Sequence, residues 1–200
     1  MPDLFEEKAR TWDADEKKTH LASSICRSIV EHVALQPGMA VLDFGAGTGL
    51  IASCLAPGVG NITAVDTSQA MLDKLAAKPA LRDKISIACQ DIIETPLPSR
   101  FDLIVSAMAV HHVEDTARLL QTFHQHLNAE GQLALADLDS EDGDFHAPGT
   151  EGVYHPGFDR AEFGQLLEEN GFANVSFCTA HVFKGETKNY PIFLATARKT

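Results

Sequence analysis

Val41-Leu42-Asp43-Phe44-Gly45-Ala46-Gly47-Thr48-Gly49 is the stretch from which the fold can be read. Met39 to Phe44 is a short apolar run ending in a glycine cluster, the pattern of a buried strand that breaks into a tight turn. Leu50 to Leu55 then reads as a helix that stops near Pro57-Gly58. Glycines at 45, 47 and 49 free the backbone to take φ > 0 and let a ligand lie close against it. In open α/β sheets the ligand crevice lies outside the carboxyl ends of the strands, where this turn falls. Two ligand classes compete for such a loop. A dinucleotide site wants G-x-G-x-x-G and a helix N-terminus for the pyrophosphate, but Leu50 stands at the third glycine position. Asp43, just upstream, would repel a pyrophosphate and suits a cationic ligand.

Working outward, strands and helices alternate. Leu21, Ile25, Ile29, Val30 and Val33 recur at helical spacing from Asp15 to about Leu35, and Gln36-Pro37-Gly38 stops that helix. Asn61 to Val65 is a second strand closed by Asp66, followed by a helix from Ser68 to Lys78 capped by Thr67 or Ser68. Lys84–Cys89 and Phe101–Ser106 are the third and fourth strands, and Gln132–Ala136 is the fifth. The helix from about Asp115 to Leu127 sets Leu119, Leu120, Phe123 and Leu127 on one face, with His124 and His126 expected to face solvent. Asp137 to Gly157 is polar and aperiodic, a loop long enough to be functional. Arg160 to Asn170 is a helix, with Gly171 where a left-handed cap belongs. Val175–Phe183 and Pro191–Ala197 are joined only by the polar run Lys184–Asn189, which forces an antiparallel hairpin. The pattern predicts an α/β fold: a three-layer αβα sandwich around a seven-stranded, mostly parallel Rossmann-like sheet with an antiparallel C-terminal hairpin. No linker divides the chain, so residues 1–200 are expected to form one domain.

Composition narrows the function classes. With 44% hydrophobic and 22% charged residues over 200 positions, the chain can sustain an ordinary globular core. No run of apolar residues is long enough for a membrane span, and the charged start of the chain lacks the apolar block of a secretory signal, so a cytoplasmic protein is expected. Cys26, Cys54, Cys89 and Cys178 are far apart, without a Cys-x-x-Cys pair, and are expected to be reduced, small apolar side chains. A net charge of −12, from 28 acidic and 16 basic residues, opposes a nucleic-acid substrate. A small-molecule substrate is expected, handled by a monomer or homodimer.

With these residues in place, the sequence resembles the class I S-adenosylmethionine-dependent methyltransferases of small-molecule type, over nearly its whole length. S-adenosylmethionine carries an ammonium and a sulfonium and no phosphate, which suits the acid at Asp43. The resemblance implies that Asp43, Gly45, Ala46, Gly47 and Gly49 wrap the methionine part. It also implies that Asp66, flanked by Thr67 and Met71, takes both ribose hydroxyls, as one carboxylate can accept two hydrogen bonds. Asp91 and the Ile92 amide match the positions that hold adenine, and Ser106 and Ala107 lie on the segment beneath the methyl donor. Phe5 to Asp13 resembles the start of methyltransferases related to the ubiquinone-biosynthesis group, which implies a lid over residues 1–20 with Trp12 against the cofactor.

Methyl transfer is an in-line displacement, so the protein chiefly supplies alignment, exclusion of water and, where needed, a base. His111 and His112, directly after the fourth strand, and Tyr154 and His155, in the glycine-rich loop, are the candidate catalytic residues. Asp137 and Asp139 are candidates to attract a cationic acceptor, with solvated loop carboxylates the plainer alternative. No metal is expected: His111, His112 and Glu114 are a poor ligand set, because adjacent side chains do not naturally converge. Two other readings stay open, a cofactor-binding scaffold without chemistry and a nicotinamide-dependent oxidoreductase.

Overall fold

A computed structural model describes residues 3, 5–147, 149–185 and 188–200. The helices are α1 (Glu6–Ala9), α2 (Glu16–His32), α3 (Leu50–Leu55), α4 (Gln69–Ala76), α5 (Thr116–His126) and α6 (Arg160–Glu169). The strands are β1 (Ala40–Phe44), β2 (Asn61–Asp66), β3 (Ile85–Cys89), β4 (Phe101–Ala107), β5 (Leu127–Leu138), β6 (Phe172–Lys184) and β7 (Asn189–Lys199). They form one seven-stranded sheet in the order β3-β2-β1-β4-β5-β7-β6. The first five strands run parallel, and β7 pairs antiparallel with both β5 and β6. The chain thus forms the three-layer, Rossmann-like sandwich that the alternation predicts; Glu186 and Thr187 of the connecting run lie outside the described residues.

Side-chain alternation divides the core in two. Val41, Leu103, Val105, Ala134 and Ala136 face α2, α3 and α4, whereas Leu42, Ile104, Leu133 and Leu135 face α5 and α6. Strands buried on both faces carry nearly continuous apolar runs, which is why β1 and β4 are so easily read. Local chemistry sets the helix ends: Asp15, Ser68, Asp115 and Asp159 each cap the helix that follows them through side-chain bonds to its first amides. Gly171 sits at φ 87°, the left-handed cap expected after α6.

The structure corrects several expectations. β5 starts at Leu127 and runs to Leu138, so Asp137 belongs to the sheet and not to the loop. A residue at φ 61°, Glu130, bends the entry to that strand, a feature periodicity does not reveal. α2 ends at His32, short of the Pro37-Gly38 stop. His126 is buried: its Nδ1 donates to the Thr122 carbonyl at 2.7 Å and its Nε2 accepts from the Leu97 amide at 3.0 Å. Both ring nitrogens are satisfied locally, so burial costs little.

Cys26 of α2 and Cys54 of α3 form a disulfide, correcting the expectation of four reduced cysteines. Their separation of 28 residues gave no motif; the packing of α2 on α3 brings them together. Closing a loop of that size restricts the unfolded chain by about 3 kcal/mol. Cys54→Ala is therefore expected to lower the thermal midpoint by roughly 6–12 °C. Equal midpoints for the variant and for the parent under non-reducing conditions would contradict the pairing.

Candidate active site

The sheet order reverses between β1 and β4, and an open crevice at the carboxyl ends of two such strands is the usual ligand site of the architecture. Asp43 and Phe44 pair with Val105 and Ser106, so the glycine turn and the head of β4 meet at this point. Gly45, Gly47 and Gly49 lie at φ 66°, 53° and 77°, conformations that exclude most side chains. A Cβ on Gly45 would collide with the Ala109 side chain, and one on Gly49 would meet Leu75 at 2.7 Å. The turn is therefore clamped between α4 and the segment after β4. Met108, at φ 58°, reverses the chain there and brings Ala109 under Gly45.

Two polar atoms at this reversal have no partner. Asp43 Oδ2 and Ser106 Oγ are buried without a hydrogen bond, although unpartnered buried polar atoms are scarce in folded proteins. Burial pushes the Asp43 carboxyl up to about 7, with repulsion from Asp66 adding and a bond from the Ala52 amide opposing. Asp66 Oδ2 accepts from the Gly47 amide at 2.8 Å and Oδ1 from the Ser68 amide at 2.9 Å, which fixes this acid on the turn. Its carboxyl is also raised by burial, against those backbone bonds. Asp91 is exposed and accepts from the Ile93 amide at 2.8 Å, while Ile92 packs in the core below it. Met71 is buried behind the α4 cap and Thr67 is exposed. Ala46 is buried in the turn, and Ala107 is half-buried at the end of β4.

The N-terminal segment is tied to this turn and to the start of α4. Asp3 accepts from Ser68 Oγ at 2.8 Å, Thr48 Oγ1 donates to Asp13, and Lys78 pairs with Asp13 at 2.8 Å. Trp12 is half-buried, edge-on to Phe5, with the Lys18 ammonium 4.2 Å over its ring. Phe5 in turn stands edge-on to His112, with ring centroids 5.7 Å apart.

The histidines after β4 are placed with care. His111 Nδ1 donates to buried Asp137 Oδ1 at 2.6 Å, and its amide donates to Oδ2 at 3.1 Å. His112 Nδ1 donates to the Gly152 carbonyl at 2.5 Å. His146, which sequence reasoning missed, sets its Nε2 3.1 Å from His111 Nε2. Burial, helped by its histidine neighbours, pulls the His112 imidazole down to about 4, and burial also lowers His146. Only the polar loop around His146 gave a signal, and it named no residue. Of the loop candidates, Tyr154 is 53% exposed; its amide donates to the His111 carbonyl at 3.0 Å, and it lines an open cleft with His146 and His155. His155 Nε2 turns to the Val113 carbonyl at 3.0 Å and to Thr116, lining a separate open cleft with Phe158 and Phe163. Asp139 is held by Arg160 at 2.7 and 2.8 Å, and Asp137 is spent on His111, so neither is a free acceptor-binding acid.

Residues 42–135 match the family described as "Methyltransferase domain". These residues thus carry a methyltransferase domain, in line with the resemblance to the class I S-adenosylmethionine-dependent methyltransferases read from the sequence. It is 30% identical over 152 residues to an uncharacterised methyltransferase of Schizosaccharomyces pombe, covering 71% of this chain but only about half, 52%, of that relative. A second uncharacterised methyltransferase, from a Geobacillus species, is 28% identical over 90% of this chain and 92% of its own length. The fold of the N-methyltransferase NodS from Bradyrhizobium japonicum, solved with S-adenosylhomocysteine, superposes with a TM-score of 0.73 at 17% identity, covering 99% of both chains. S-adenosylmethionine is the methyl donor of this class, and the residues here fit it. An unpartnered acid beside left-handed glycines calls for a cationic, phosphate-free ligand.

The raised Asp43 carboxyl carries a sign. Between pH 4 and 7 the unfolded chain ionises this group while the folded chain keeps it protonated, so stability falls as pH rises and the loss is complete above about 7. Asp43→Asn is expected to stabilise the free protein at pH 8 by on the order of 1 to 4 kcal/mol, while weakening S-adenosylhomocysteine binding. Denaturant unfolding and calorimetry at pH 5 and pH 8 measure both. A variant destabilised at pH 8 would contradict the assignment.

Proposed function

We propose that this chain transfers a methyl group from S-adenosylmethionine to a small-molecule nucleophile held at the His111–His112–His146 end of the crevice. The observation that carries the reading is the pair of unpartnered buried atoms, Asp43 Oδ2 and Ser106 Oγ, beside the Gly45–Gly49 turn. The bound cofactor supplies an electrophilic methyl on a positively charged sulfur. The turn and Asp43 would hold its amino-acid end, Asp66 its ribose hydroxyls, and Asp91 with the Ile92 amide its adenine. Asp66 already accepts one bond on each oxygen, and each oxygen keeps a second lone pair for a hydroxyl. Ala46, Met71 and Thr67 would complete the nucleoside wall, with Ser106 and Ala107 below the methyl. Asp3 and residues 5–14 would act as a cap, since Asp3, Asp13 and Phe5 already bridge the α4 start, the turn and His112. The cap and the buried histidines would keep water from the acceptor. A net charge of −12 supports a small molecule over a nucleic acid. Asp137 would orient His111 by fixing its ring and tautomer. Tyr154 and His155 have no part in this reading.

Asp66→Ala removes an acceptor of two hydroxyl bonds and is expected to raise the dissociation constant for S-adenosylhomocysteine at least 30-fold, corresponding to about 2 kcal/mol. Isothermal calorimetry reads this directly. Wild-type protein that fails to bind the compound at 1 mM, or a variant that binds it equally well, would end the proposal.

A further inference from the structure

His111, His112 and His146 each offer one ring nitrogen, and the three nitrogens lie within 4.8 Å of one another. We propose that these three side chains bind a divalent transition-metal ion of the zinc class at the acceptor end of the crevice. The site stands on side-chain geometry; its place in acceptor chemistry rests on the methyl-transfer reading above.

Three features beyond proximity support it. First, two of the rings are held from behind as metal-ligating histidines usually are. His111 Nδ1 donates to the buried Asp137 carboxylate and His112 Nδ1 donates to the Gly152 carbonyl, which leaves Nε2 of both rings unprotonated, that of His111 facing His146. Second, His111 Nε2 and His146 Nε2 stand 3.1 Å apart, close to the separation of about 3.3 Å between two nitrogens on one tetrahedral zinc ion. The third nitrogen needs an inward shift of roughly 1.5 Å at most to complete the face. Third, the site is one-sided. Asp137 is the buried anion behind it, and Phe5 covers His112 on the outside.

Three imidazoles suit zinc, nickel or copper better than magnesium or calcium, which prefer oxygen ligands. Three ligands also leave a coordination position open. A hydroxyl or thiol acceptor would fill it, releasing its proton to solvent because the ion stabilises the alkoxide or thiolate. His111 and His112 are each tied through one nitrogen, so an ion in this position would take over the activation of the acceptor that neither ring supplies as a free base. The sequence concealed the site because His146 lies in the polar loop, far along the chain from its partners.

The test uses tag-free, chelator-treated full-length protein titrated with zinc chloride against a chromophoric chelator. One equivalent is expected to bind with a dissociation constant below about 1 µM. His146→Ala should weaken it at least 100-fold, and Asp137→Asn about 10- to 100-fold. Cobalt substitution should give visible bands that disappear in His146→Ala. S-adenosylhomocysteine binding by His146→Ala should match the parent, which shows that the variant is folded. Absence of zinc binding at 100 µM, or equal affinity in parent and His146→Ala, overturns the metal site: the 3.1 Å contact would then be a hydrogen bond donated by His146. Zinc binding that depends on His146, in a protein that does not bind S-adenosylhomocysteine, would keep the metal site and remove the methyl-transfer reading.

Discussion

A single carboxylate sits where the fold has nothing to offer it. Asp43 ends the central strand, is buried, and leaves one oxygen without a partner while Asp66 stands near enough to repel it. A protein folding for stability alone would place an apolar side chain there. The glycine turn is subject to the same constraint, since its left-handed residues hold the backbone against Ala109 and Leu75 and leave no room for side chains that would shield the acid. An uncompensated buried acid beside a left-handed glycine turn suits a ligand with positive charge and little bulk at that end.

The rest of the molecule serves to hold that point still. Crossovers through α3 and α4 on one face and α5 on the other bring β1 and β4 together at the reversal of strand order. Asp66 reaches back from β2 to the Gly47 amide, and the N-terminal segment ties Asp13 to Thr48 and Asp3 to Ser68. Beyond the reversal, the strained backbone of Met108 directs His111 toward Asp137 of β5. The glycine turn and the histidine cluster are thus set by neighbouring strands, and the distance between them is fixed by the sheet.

Much of this was legible because buried parallel strands leave a strong mark. The runs at 40–44, 61–66 and 101–107 are apolar and short, each ends in a glycine, acid or small residue, and caps such as Ser68 and Asp159 announce the helices. Proximity across the chain was not legible. Cys26 and Cys54 meet through helix packing, and His126 is satisfied by Thr122 and Leu97, partners that its helical position does not suggest. His146 joins His111 and His112 only because an aperiodic loop folds back over β4. Tyr154 and His155 show the converse: an aromatic residue in a glycine-rich loop is conspicuous in sequence, yet here the Tyr154 amide anchors to the His111 carbonyl and the His155 ring packs on Val113, Thr116 and Phe158. Sequence periodicity reports burial relative to one element and carries no information on which loops converge.

The crystal structure of the complex with S-adenosylhomocysteine tests the central claim most directly. The ribose hydroxyls are expected on the two oxygens of Asp66 and the ammonium end over the Gly45–Gly49 turn, with the free Asp43 oxygen engaged and the sulfur directed toward the three histidines. A nucleoside bound elsewhere, or a phosphate seated on the turn with Asp43 still unpartnered, would contradict it.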